Sequence, residues 1–114
     1  MNELMTERVL VRETRVFRGS GGVSAESRSS RFYPAFCDND TSTVYLSRFA
    51  DGRQAPCHLL DGLPDDLVVA RNATGRVAAV KASVISGFVR DGCFYTREEA
   101  GRLVRDESVR GVVA

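Results

Sequence analysis

The chain has 114 residues, of which 43% are hydrophobic and 27% are charged, a composition typical of one globular domain. Its net charge of +1 argues against binding to nucleic acid or membrane by bulk electrostatic attraction. No secretory signal or membrane-spanning apolar run is visible, and the three widely spaced cysteines make a poor disulfide framework. We therefore expect a cytoplasmic protein with a single domain over residues 1–114.

The N-terminal part is predicted to contain one strand followed by a loop. Residues 9–17 are rich in β-branched side chains and alternate in part, which predicts a strand. Residues 19–30 are small, polar and rich in glycine and serine, which predicts a flexible loop.

The middle of the chain is predicted to form strands and one short helix. Residues 31–37 and 43–49 have strand composition, and a turn-rich segment joins them. Pro34 lacks a backbone donor, so the first of these strands is expected at a sheet edge. Residues 57–63 are short and apolar, which predicts about one helical turn, and residues 67–81 predict a hairpin.

The dipeptide Asp91-Gly92 predicts a tight hairpin turn, because both residues readily adopt positive φ. A two-residue turn fixes the strand register, and successive residues point to opposite faces. The expected cross-strand pairs are Arg90 with Cys93, Val89 with Phe94, and Phe88 with Tyr95. These pairs place large apolar groups on both faces. We therefore expect the hairpin to be covered on both sides, either by helix and loops or by a second subunit.

A C-terminal helix is predicted directly after this hairpin. Thr96 and Glu99 have the spacing of a capping box, so a helix should run from about Arg97 to Asp106. The predicted fold class is α+β. It combines a mostly antiparallel sheet of about five to six strands with a C-terminal helix and a short central helix.

Cys57 and His58 are the one place in the sequence where a thiol and an imidazole are adjacent. A catalytic dyad needs the two side chains within hydrogen-bond reach, whereas neighbouring side chains diverge. They are therefore weak catalytic candidates, and a pair of partly buried residues in a short apolar segment is the favoured interpretation.

Metal-binding patterns are incomplete. The cysteines and His58 lack the Cys-x-x-Cys spacing of a structural zinc site. Asp38-Asn39-Asp40 begins like a calcium loop, but Thr43 stands where glycine is needed and Phe49 where a bidentate glutamate belongs. We expect neither a metal nor a cofactor.

Arginines dominate the basic residues, because Lys81 is the single lysine. On the predicted last helix, several arginines should lie opposite the apolar stripe and face a partner. A second group lies in the N-terminal region, where arginines and aromatic residues are interleaved. The candidate partner-binding residues are Arg97, Arg102, Arg105, Arg18, Arg31 and Tyr33.

The favoured hypothesis is a small non-enzymatic interaction protein. It would act as an accessory, adaptor or inhibitor by binding another protein, as small proteins of mobile elements do, and a homodimer is an alternative assembly. A nucleic-acid-binding module that uses the arginine and aromatic surface is the first alternative function. A small enzyme built on Cys57 and His58 is the second.

Overall fold

The fold is α+β, as the sequence predicts. The computed structural model describes residues 3–113, and it describes side chains as far as Glu107. Within these residues, seven strands form two antiparallel sheets and three α-helices accompany them. The strands are β1 (Met5–Thr6), β2 (Tyr33–Asp38), β3 (Thr43–Leu46), β4 (Val68–Arg71), β5 (Val77–Val80), β6 (Val84–Arg90) and β7 (Cys93–Thr96). The helices are α1 (Glu7–Phe17), α2 (Ser24–Ser27) and α3 (Arg97–Val113), with 3₁₀ turns at Arg28–Ser30 and Asp65–Leu67.

The smaller sheet has the strand order β1-β5-β4, and the larger sheet has the order β3-β2-β6-β7. The main core joins the smaller sheet and α1 to one face of the larger sheet, on which Phe36 lies. Phe88 lies on that same face, because Phe36 pairs with Ser86, two residues away along β6. Phe88 packs with Ala100 of α3 in a second, smaller core. The helical layer therefore covers one face of the larger sheet.

The predicted strand at residues 9–17 is wrong, because this segment lies within helix α1. Thr6 caps the helix by accepting a hydrogen bond from the backbone N–H of Val9 at 3.2 Å. Val9 and Leu10 are buried on one side, whereas Val16 is 70% exposed. The β-branched composition suggested a strand, but the N-cap and burial of one helical face outweigh β propensity.

Strands β2 and β3 confirm the predicted pair, but the expected edge position of the first strand is wrong. β2 lies between β3 and β6. Pro34 is tolerated there because the N–H that it lacks would have been directed at the carbonyl of Ser47, just beyond the end of β3. The carbonyl of Pro34 accepts from the N–H of Ser47 at 2.9 Å, and the carbonyl of Ser47 accepts instead from the N–H of Ala55 at 2.9 Å. No ladder acceptor is left unpaired by the proline.

Two connecting segments differ from the sequence expectation. Residues 57–63 form no helix, so the helical turn predicted there is wrong. Short helices occur instead at α2 and at the two 3₁₀ turns. In the Gly/Ser-rich segment 19–30, Val23 and Ser27 are buried. A Cβ added at Gly22 would lie 2.6 Å from the carbonyl oxygen of Arg97, so this glycine permits close approach to α3. The flexibility of the segment stays a prediction.

The closing hairpin has the predicted register, with Val89 opposite Phe94 and Phe88 opposite Tyr95. Asp91 and Gly92 have φ values of 52° and 80°, as a tight hairpin turn of this type requires.

The predicted capping box is also present. The carboxylate of Glu99 accepts from the N–H of Thr96 at 2.8 Å, and the hydroxyl of Thr96 accepts from the N–H of Glu99 at 3.2 Å. Helix α3 extends beyond the predicted end at Asp106 to Val113.

Candidate functional site

A buried polar network centred on Arg97 joins five parts of the fold. The capping box makes Arg97 the first residue of α3, and its side chain is only 3% exposed. Its guanidinium donates to the hydroxyl of Ser86 at 2.9 Å, to the carbonyl of Gly22 at 3.1 Å and to Nδ1 of His58 at 3.1 Å. The carboxylate of Glu13 accepts from the same serine hydroxyl at 2.8 Å and lies 4.0 Å from the guanidinium. Burial lowers the pKa of Arg97, and Glu13 opposes this effect.

The burial of Arg97 corrects the predicted arginine face of the last helix. Arg97 does not lie beside Arg102 and Arg105 on the surface. Arg102 is exposed and pairs with Glu98 at 3.4 Å, and Arg105 is exposed and donates to the carbonyl of Ser20. The inward position agrees with helical spacing, because Arg97 lies three and seven residues before Ala100 and Val104 and so shares their inward side of α3. The assignment of Arg97 to the opposite side overlooked this spacing.

His58 is neutral and fully hydrogen-bonded in this network. Its Nε2 lies 2.7 Å from the carbonyl oxygen of Gly87, which can only accept, so Nε2 carries the proton and Nδ1 accepts from Arg97. The ring packs edge-on against Phe36 and Phe88 at centroid distances of 5.3 and 5.2 Å. Burial, reinforced by the charge of Arg97, lowers the pKa of His58 to about 3.

This arrangement leaves His58 without a nitrogen that could activate the thiol of Cys57. Both ring nitrogens are hydrogen-bonded to groups other than Cys57, and the imidazole is uncharged near neutral pH. Cys57 itself is exposed. The geometry therefore gives His58 a structural role as the link between residues 57–60 and α3.

An open groove of about 720 Å³ lies beside the network. One wall is α1, the opposite wall is the segment around α2, and residues 57–60 complete the lining. Its apolar lining includes Leu10, Val11, Val23 and Leu60. Arg15, Arg18 and Arg28 also line it, so the structure places the predicted candidate Arg18 here.

The second feature is the face of the larger sheet that lies opposite the helical layer. Alternation along the paired strands assigns ten residues to it. They are Tyr33, Ala35, Cys37, Val44, Leu46, Ile85, Gly87, Val89, Phe94 and Thr96. We call this surface the open sheet face, because the described helices that pack on the larger sheet do so on the other side.

The open sheet face is unusual in composition, since none of its ten residues carries a charged side chain. The solvent-facing side of an antiparallel sheet is ordinarily polar. Here Tyr33 is 47% exposed and Val44 is 42% exposed, while Ile85, Val89 and Phe94 are half-buried. The sequence predicts that both faces of the closing hairpin are covered, either by helix and loops or by a second subunit. No described helix covers the face that holds Val89 and Phe94, and a second subunit on it stays a prediction.

The remaining arginine and aromatic candidates do not gather at one place. Tyr33 lies on the open sheet face, and Arg31, also exposed, precedes it by two residues. Phe32 is 1% exposed and lies under Arg90, whose guanidinium is 4.2 Å from the ring centroid. Phe32 is therefore unavailable to stack on a base.

Among the residues described, no group of three or more histidine, cysteine, aspartate or glutamate side chains is placed to hold a metal ion. Asp38, which opens the calcium-like sequence, is buried and accepts from the hydroxyl of Ser83 at 2.7 Å and from Lys81 at 3.3 Å. The hydrogen bond from Ser83 is the main reason that the pKa of Asp38 is lowered. Its Oδ1 also accepts from the backbone N–H of Asp40 at 3.0 Å, so this carboxylate stabilises the turn between β2 and β3.

Across residues 3–113, the helices include none that is both long and apolar enough to cross a membrane. No protein-family model matches the chain, and neither the curated proteins nor the solved structures include a significant match. The case for a function therefore rests on the geometry of the network, the groove and the open sheet face.

Proposed function

We propose that this chain is a small non-enzymatic interaction protein of the cytoplasm, which binds a protein partner through the open sheet face. The observation that supports the proposal is the composition of that face, where ten neighbouring positions hold no charge and no described helix covers them. On this face Tyr33 and Val44 are exposed, Ala35 and Gly87 are buried, and the other six residues are half-buried. Apolar surface patches on globular domains often mark interaction sites.

The size of the face suits the centre of an interface. Four strands about 4.8 Å apart and about five residues long cover roughly 300 Å² of sheet. This value lies at the lower end of the largest apolar patches on single domains, which are often functional. A stable complex buries about 800 Å² on each partner, so a polar rim would surround this centre. Tyr33 at one end is suited to the rim, since tyrosine combines a large apolar ring with a hydroxyl.

The partner is expected to present an apolar surface, because a charge placed against this face would lose its hydration without gaining a counter-charge. A heterologous protein is the favoured partner. The fully hydrogen-bonded state of His58 supports binding rather than catalysis, since it leaves no base beside Cys57.

Site-specific photo-crosslinking in the native cells tests the proposal. A benzophenone side chain replaces Val44 on the open sheet face, and the matched control replaces Val69 on β4. Both valines lie on short strands and are exposed, at 42% and 53%. We expect a covalent adduct with another protein from position 44 and none from position 69.

The composition of the adduct decides between the alternatives. An adduct of two copies of this chain would replace the heterologous partner by a homodimer, and an adduct with nucleic acid would establish the nucleic-acid-binding alternative. The absence of an adduct at position 44, or the same adducts at both positions, would refute protein binding through this face.

A further inference from the structure

The groove between α1 and the segment around α2 carries an excess of unpaired positive charge. Arg15, Arg18 and Arg28 line it, and none of the three forms an ion pair with a described carboxylate. Arg28 donates only to the carbonyl of Pro56, at 3.3 Å. Elsewhere in the described chain, ion pairs engage most arginines, including Arg12 on the same helix. The groove lining therefore holds three positive charges that no described carboxylate neutralises.

The carboxylates in the groove lining are already engaged by other groups. Glu26 accepts from the backbone N–H groups of Gly19 and Gly21 at 2.8 and 2.9 Å. Glu7 lies 3.6 Å from the guanidinium of Arg76, which is not a lining residue. An occupant of the groove would therefore meet three arginines whose charge is not neutralised locally. Carboxylate groups on the occupant match them, because guanidinium binds carboxylate with two parallel hydrogen bonds.

The shape of the groove indicates an elongated occupant. Its lining between the arginines is largely apolar and includes the buried Leu10 and Leu60 and the exposed Val11. At Arg28 and Ser24 it continues into a second depression of about 360 Å³, which is lined by Tyr33 and two prolines, among others. A segment of protein chain can fill one depression, pass Arg28 and enter the next, whereas a small anion would occupy only one end.

The buried network holds the walls of the groove in fixed positions. Arg97 is bonded to Gly22 beside one wall and to His58 in the lining, and it lies 4.0 Å from Glu13 of α1. All three walls are thus tied to one buried side chain. A site that is rigid before binding loses less conformational entropy when it binds.

We infer that this groove binds an acidic segment of a protein, in which aspartate or glutamate residues flank apolar ones. The inference concerns a second surface, which meets the open sheet face at Tyr33 and does not include Val44 in its lining.

Selection from a random library of peptides of about 12 residues, displayed on phage, tests the inference. The wild-type protein is the target, and the Val11→Glu variant, in which a competing carboxylate blocks the groove, is the negative control. Val11 is 58% exposed, so this substitution should leave the fold intact. Val69→Glu, at a site 53% exposed on β4 and outside the groove lining, is the matched positive control. We expect wild type and Val69→Glu to enrich acidic peptides with apolar residues, and Val11→Glu to enrich none.

The selected peptides then allow a direct test of charge. Replacement of their carboxylates by amides should weaken binding at least about tenfold, as should the triple variant Arg15→Gln, Arg18→Gln, Arg28→Gln. Arg8→Gln, on the same helix but outside the groove lining, should leave the affinity unchanged. Enrichment of neutral or basic peptides, equal enrichment by the blocked variant, or no enrichment would overturn the inference. None of these results bears on the crosslink at position 44.

Discussion

Mild acid should destabilise this protein through His58. The imidazole is neutral in the folded state, where burial and Arg97 lower its pKa from 6.5 to about 3. In the unfolded chain it takes up a proton below about pH 6.5. The folded state therefore has its full stability above that pH. Stability is lost progressively as the pH falls toward 3, because only the unfolded state gains a proton in this range.

The size of the effect follows from the two pKa values. Proton linkage gives a loss of about 2 kcal/mol in the free energy of unfolding between about pH 7.5 and about pH 5. The carboxylates contribute mainly at lower pH, so most of the change in this interval belongs to the single histidine.

Urea denaturation of wild type and of His58→Gln at the two pH values measures this effect. The glutamine amide can donate toward Gly87 and accept from Arg97, but it does not titrate. We expect wild type to lose about 2 kcal/mol more than the variant on acidification. Equal losses in the two proteins, or an NMR titration of His58 with a pKa near 6.5, would refute the neutral, buried imidazole.

Four substitutions test how the elements around the site are held. Phe88→Ala should lower the free energy of unfolding by about 3–5 kcal/mol, because the ring is fully buried. Phe94→Ala should lower it by less, because Phe94 is only half-buried on the open sheet face, and equal losses in denaturant unfolding would contradict the assignment of faces. Thr96→Val should cost about 1 kcal/mol through loss of the cap, measured in the same way, and no loss would mean that the capping box does not stabilise α3. Gly22→Ala should cost about 1–3 kcal/mol, since the added methyl group would meet the carbonyl of Arg97, and an unchanged melting temperature would contradict that close contact.

The parts of the fold that the sequence predicts correctly depend on short-range interactions. The turn at Asp91-Gly92 and the capping box of Thr96 and Glu99 each involve residues within a few positions of one another. Backbone preference and side-chain capping determine such features locally, so the register of the closing hairpin and the start of α3 could be read from the sequence.

The parts that the sequence missed depend on contacts between distant residues. Helix α1 resembles a strand in composition, and the burial of Val9 and Leu10 against other elements favours the helix. Pro34 occupies a central strand because Ala55, far along the chain, supplies the missing donor to Ser47.

The candidate site was predictable only in part. Of the candidates from the sequence, Arg18 lines the groove, and Tyr33 lies on the open sheet face and also lines the second depression. The inward side of Arg97 follows from its helical spacing to Ala100 and Val104. Its partners Gly22 and His58 could not be predicted, because they lie 75 and 39 residues away. The uncharged composition of the open sheet face was visible in the strand patterns, although the missing helical cover was not.

Protein binding through the open sheet face can be tested most directly by the crosslink from position 44, measured with and without Tyr33→Asp. Tyr33 is 47% exposed on that face, so its replacement should leave the fold intact while placing a charge in the interface. The account predicts one protein adduct from the crosslinker at position 44 and at least about a tenfold loss of that adduct in the Tyr33→Asp variant. An adduct that persists unchanged in the variant, or no protein adduct at all, would contradict it.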